Sequence, residues 1–198
     1  MKRQTSKYWN LTQEILDSEY LTTPTKIALK ARIEKNDGLC FFDANSYDLL
    51  SIICDLLIDQ DSENRIIEIA GFIDERLQKN ESDGWRYDGM PPDRIMYTEG
   101  LKAVDAASEQ LFQKKFLLLS KQQQKKILSD IQSGNVDGKT WKLINPILFF
   151  EEILAETTEV YFSHPWVQTS FHYAGMGDAK GWAKLKLNQE ENLEKRMQ

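Results

Sequence analysis

The side chains able to do acid–base or metal chemistry are few and thinly placed in this chain. It has two histidines, His164 and His172, eight positions apart on either side of Pro165. Two imidazoles make a metal site only when thiolates or carboxylates complete the shell, and no cysteine or organised carboxylate neighbours them. As general bases they would need an orienting partner, and the surrounding sequence offers none. A backbone hydrogen bond ahead of the turn is the plainer role for His164. Glu151 and Glu152 are adjacent, so on a helix they point in different directions. A solvated face with a helix-dipole benefit accounts for both.

Gly175-Met176-Gly177-Asp178-Ala179-Lys180-Gly181 approaches the dinucleotide-binding fingerprint and misses it twice. The last glycine falls one position late, and no strand precedes the run. A tightly turned loop, whose glycines permit positive backbone angles, explains it better. The two cysteines, Cys40 and Cys54, lack metal-ligand spacing and are too few for a disulfide framework. Cys54 falls within an apolar helical pattern and reads as a buried thiol. The residues therefore indicate no catalytic set, no cofactor-binding loop and no metal site in this chain.

The totals exclude further classes. A chain of 198 residues supports one sizeable core, and a composition of 41% hydrophobic and 28% charged residues is that of a folded globular protein. A net charge of -6 removes the concentrated basic surface that nucleic acid requires. No stretch nears the roughly 20 apolar residues of a membrane span, so no direct membrane insertion is expected. The start, MKRQTSKYWNLTQE, shows neither an apolar run of signal-peptide length nor a twin-arginine pair.

The elements that must position the chemistry are helical throughout. Trp9, Ile15 and Leu16 give a faint helical signal, and Thr23-Pro24 has the form of a cap and first turn. Asn45 or Ser46 can cap a helix carrying Leu49, Leu50, Ile53, Cys54, Leu56 and Leu57. A second stripe runs Ile66, Ile69, Ala70, Ile73, Leu77. Gly71 interrupts it at about 1 kcal/mol relative to alanine, a cost that makes sense where another helix packs closely. Helix recurs from Tyr97 to about Lys114 with Leu101, Val104, Ala107 or Ser108, and Leu111 inward. Ser120 and Gln123 form a capping box ahead of Ile127, Leu128 and Ile131, and Ser133-Gly134-Asn135 closes that helix. Asn145 caps a long apolar helix that starts at Pro146 and stops near Ser163. Its inner face is read as Ile147, Phe150, Leu154 and Tyr161, widened by Phe149, Ile153 and Val160. With no period-two alternation and no repeat, the fold class is all-α, a single-domain irregular bundle of about six to eight helices. The divisions expected are an arm of short helices at 1–40, a helical domain at 41–187 and a polar tail at 188–198.

What remains is aromatic. From His164 to Trp182 the chain reads as a long loop holding Trp166, Phe171, Tyr173 and Trp182, and the loop Asn80–Asp93 holds Trp85 and Tyr87. Such rings either lid their own core or are covered by another protein.

Four blocks carry a likeness: Leu50 to Leu77 with IIEIAGFIDERL, Tyr97 to Leu128, Phe149 to Trp166 with FFEEILAETTEVYFSHPW, and the terminal GMGDAKGW. In these the chain resembles the gluconate 2-dehydrogenase subunit 3 family. The resemblance implies an accessory, non-catalytic role beside a large flavoprotein dehydrogenase subunit of the glucose–methanol–choline type. That subunit carries the FAD and the catalytic residues, in some members with a cytochrome subunit accepting the electrons. It also implies a periplasmic site of action within a co-exported complex, with a cytoplasmic location as the alternative because no signal peptide is visible. Where the family often has a proline after the first long helix, this chain has Asp59. On this reading Trp166, Phe171, Tyr173, Trp182 and His164 face the partner, with Trp85 and Tyr87 second. The competing reading is a stand-alone enzyme, or a small-ligand-binding helical protein, that uses the His164/His172 loop.

Overall fold

The computed structural model describes residues 2–33, 40–82 and 87–173, with side chains from Tyr8 onward. Among these residues there are eight α-helices, one 3-10 turn and no strand. The helices are α1 (Lys2–Asp17), α2 (Thr23–Ile33), α3 (Ala44–Ile58), α4 (Ile69–Lys79), α5 (Asp93–Phe112), α6 (Lys121–Gln132), α7 (Pro146–Ser163) and α8 (Pro165–Ser170), with the 3-10 turn Phe116–Leu118 between α5 and α6. No described helix is long and apolar enough to cross a membrane. The chain divides into two compact units, one made of residues 36–159 and the other of residues 1–35 with 160–198.

In the 36–159 unit the core is built from Leu50, Ile53, Ala70, Ile73, Leu77, Tyr97, Val104, Phe116, Ile127, Phe149 and Ile153, all buried. Helix α3 starts two or three residues earlier than its sequence suggests. Asp43, rather than Asn45 or Ser46, is the cap, its carboxylate accepting the Ser46 N–H at 2.7 Å. The helix ends on Asp59 in the left-handed region at φ 54. Proline cannot adopt that angle, so this turn depends on a residue other than proline at position 59.

The stripe from Ile66 becomes helical only at Ile69. The buried Gln60 side chain intervenes: its Oε1 accepts the N–H groups of Ile66 and Ile67, and its Nε2 donates to the Ile67 carbonyl and to Asp55. Backbone bonded sideways in this manner cannot be wound into a helix. Gly71 thus sits in the first turn of α4, where it costs little. It is itself buried, and a further close approach occurs at Gly100 on α5, which packs against the Phe149 ring.

Two acids, one buried and one largely so, tie the unit together. Asp74, wholly buried, accepts the N–H groups of Cys40, Phe41 and Phe42 at 2.6, 3.0 and 2.8 Å and so fixes the chain's entry to α3. Glu156 of α7 receives both forks of Arg76, Nε at 2.6 Å and Nη2 at 2.8 Å, and also the Tyr97 hydroxyl. Arg76 Nη1 reaches on to Asp93 at 2.6 Å and to the Glu81 carbonyl at 2.8 Å. Burial alone would lower the Arg76 pKa, but the hydrogen bonds it donates to Glu156 and the charge of that carboxylate reverse the sign and raise it. The clamp joins the end of α4 and the start of α5 to α7.

The inner face of α7 is rotated from its sequence reading. Phe149, Phe150, Ile153 and Thr157 are buried together with Glu152, whereas Ile147 is exposed. A solvated face therefore accounts for Glu151 alone, which receives the Tyr87 hydroxyl. Both glutamates also lie beyond the first turn, where the helix-dipole effect has faded. Leu111, expected inward, is exposed near the end of α5.

In the other unit, α1 is a full helix of 16 residues rather than a short one. Ile15, Leu16, Leu21 and Leu29 form its core, with Leu11, Tyr20 and Ile33 packed around them. The single Thr12 hydroxyl hydrogen is shared between the Tyr8 carbonyl at 2.7 Å and Thr169 Oγ1 of α8 at 3.0 Å, a buried polar contact that sets α8 on α1.

Candidate partner-binding surface

Residues 165–170 form helix α8, where the sequence reading placed loop. Proline is unfavourable inside a helix but well suited to its first position, so Pro165 ends α7 and begins α8 in one step. His164 is the cap between them, its Nδ1 accepting the Trp166 N–H at 3.2 Å. The imidazole is only 8% exposed, and that burial pushes its pKa down to about 4. His164 thus makes the backbone hydrogen bond foreseen for it.

The far end of α8 is closed as firmly. His172 adopts φ 56; its N–H reaches the Thr169 carbonyl at 3.0 Å, and the Tyr173 N–H reaches the Gln168 carbonyl at 2.9 Å. This pair of bonds around a left-handed residue is a Schellman motif. The two histidines therefore stand at opposite ends of a helix, roughly 12 Å apart at about 1.5 Å per residue. That is too far to share an ion whose ligands sit about 2 Å from it, and the described residues contain no cluster suited to a metal.

With α8 in place the aromatics separate into buried and exposed sets. Trp166, 9% exposed, packs edge-on against Tyr8 with ring centroids 6.0 Å apart. Phe171 and Tyr173, held by the Schellman turn, are 65% and 54% exposed. Phe162, in the last turn of α7, is 48% exposed and lies 5.8 Å from the Phe171 ring and 5.2 Å from Tyr161. Phe162 was passed over in the sequence because it falls on a helix whose other aromatics are core. Nothing in the string marks it as exposed, since neighbouring helical positions such as Phe149 and Phe150 can both be buried. Tyr87 is half-buried beside Glu151. Trp85, Trp182 and the run Gly175 to Gly181 lie outside the described residues.

An exposed aromatic cluster fixed by a capped helix end is what an interface offers, since rigid rings bury large area at little entropic cost. The gluconate 2-dehydrogenase subunit 3 family matches residues 44–181, well over half of the chain. The chain belongs to this family. No curated protein and no solved structure matches it. The region matched by the subunit 3 family takes in α3 to α8, and with them Phe162, Phe171 and Tyr173.

Proposed function

We propose that this chain is the non-catalytic small subunit of an FAD-dependent dehydrogenase of the glucose–methanol–choline type that oxidises sugars, sugar acids or glycosides. The flavin and the catalytic residues belong to the partner chain, and this subunit supports the maturation and stability of that chain. The observation that carries the reading is the aromatic face Phe162–Phe171–Tyr173, held open by a Schellman turn, in a chain whose family is described as a subunit. Trp182 is a further anchor for the partner and Trp85 and Tyr87 are secondary partner contacts, while Trp166 and His164 hold α8 in place behind Phe171. A cytochrome subunit that accepts electrons and a periplasmic site of action complete the proposal.

Co-expression with an FAD dehydrogenase chain encoded beside this one tests it. The two chains should co-purify, the pair should be yellow and active with a sugar and an artificial electron acceptor, and the flavoprotein alone should be poorly soluble or inactive. This chain purified alone should be colourless. A flavin spectrum or dehydrogenase activity in the isolated chain would overturn the proposal.

A further inference from the structure

A cavity of about 380 Å³ lies in the 36–159 unit, lined by Glu99, Ala103, Lys139, Trp141, Lys142 and Leu143 among others. Its volume is in the range of ligand sites, which run from about 300 to 1,000 Å³. Trp141 is 6% exposed, stacked at 5.4 Å on Phe149, and its indole N–H has no acceptor among the described residues. Only one other buried side-chain polar atom among them, Gln168 Oε1, lacks a partner. Buried donors left unsatisfied are rare and costly, so one on a residue that lines a cavity points to an acceptor that reaches it when the 133–145 segment shifts.

The chemistry of that acceptor follows from the rim. Glu99 is already paired with Lys102 at 2.8 Å. Lys139 and Lys142 are exposed and form no ion pair among the described residues, so this opening is locally basic on a chain of net charge -6. Leu143, 66% exposed, adds an uncovered apolar side chain at the same opening. The segment carrying them consists of turns and bends between α6 and α7, without a helical ladder to resist a local shift.

We infer that this cavity is a second docking point for the dehydrogenase partner. It takes an acidic peptide segment: a carbonyl or carboxylate oxygen accepts the Trp141 N–H, acidic side chains meet Lys139 and Lys142, and an apolar side chain covers Leu143. The inference rests on the accessory-subunit reading, but its failure is separable from failure of that reading.

The experiment uses the co-expressed complex and the affinity of the flavoprotein for immobilised subunit. Trp141→Phe keeps the ring and removes only the donor. The affinity should fall roughly five- to tenfold, the worth of one hydrogen bond, while the urea midpoint of the free subunit is unchanged or higher. An orphan donor with no binding role gives the same midpoint behaviour with wild-type affinity, and that result overturns the inference. Lys139→Glu with Lys142→Glu, two exposed changes that leave the core intact, should weaken capture by roughly tenfold and flatten its salt dependence. Wild-type capture by this pair overturns the inference whatever Trp141→Phe does. If the wild-type subunit captures no flavoprotein at all, the accessory-subunit reading fails first.

Discussion

A single glycine shows how packing decides what propensity cannot. A methyl group built on Gly100 would stand 2.0 to 2.6 Å from three carbons of the Phe149 ring, and Phe149 is itself buried against Trp141. Alanine would gain about 1 kcal/mol of helix propensity. A ring confined on all sides cannot retreat by the required ångström, and overpacking of this kind costs about 1–3 kcal/mol or more. Gly100→Ala is therefore expected to lower stability by up to about 2 kcal/mol net, read as a lower urea midpoint at unchanged slope. A wild-type or higher midpoint would show that the ring has another place to go. Gly71 looked the more telling glycine in the sequence because it appeared to interrupt a stripe. Gly100 gave no such sign, since its partner Phe149 is 49 positions away, and a contact of that range leaves no mark on local periodicity.

At the scale of elements, what was legible was what is local. The capping box of Ser120 and Gln123 is present with both reciprocal bonds, and α7 runs from Pro146 to Ser163 as its cap and its proline stop require. The misread starts had non-local causes, as with Gln60 holding Ile66 and Ile67 out of α4. Helix α8 was missed because six residues are too few to show a helical period, and its apolar members had been assigned to loop. Its cap carries a titration with a predictable sign. Burial pushes the folded-state pKa of His164 down to about 4, against about 6.5 in the unfolded chain. Between these values the unfolded chain binds a proton that the folded chain refuses. The contribution is thus fully present above pH ~6.5 and is lost as pH falls toward 4, by about 3 kcal/mol at most. His164→Asn keeps an acceptor at the cap without the titration. Urea midpoints at pH 7, 5.5 and 4.5 should fall less steeply for this variant than for the parent, and parallel profiles would remove His164 as the source.

For the molecule as a whole, the sequence located the region of the candidate surface but not which rings are presented. Aromatic residues between Pro165 and Tyr173 look alike as a string. The winding of α8 turns Trp166 toward Tyr8, and the Schellman turn after it leaves Phe171, beside Phe162, and Tyr173 in solvent. Burial and partner contact then call for opposite outcomes from two substitutions. Trp166→Ala removes a ring that is 9% exposed, a deletion that costs about 3–5 kcal/mol when the site cannot collapse, so the free subunit itself should lose thermal stability. Phe171→Ser with Tyr173→Ser changes two exposed side chains, and surface changes of this kind usually stay within about 0.5 kcal/mol each. The double variant should keep its helical circular dichroism and melting temperature, yet lose affinity for the flavoprotein chain by roughly ten- to a hundredfold, because interface energy concentrates in a few aromatic anchors. The decisive comparison is between melting of the free subunit and capture of the partner, measured on the same preparations. If the double variant captures the partner as the parent does, the exposed rings are not the docking surface, however well their geometry suits one.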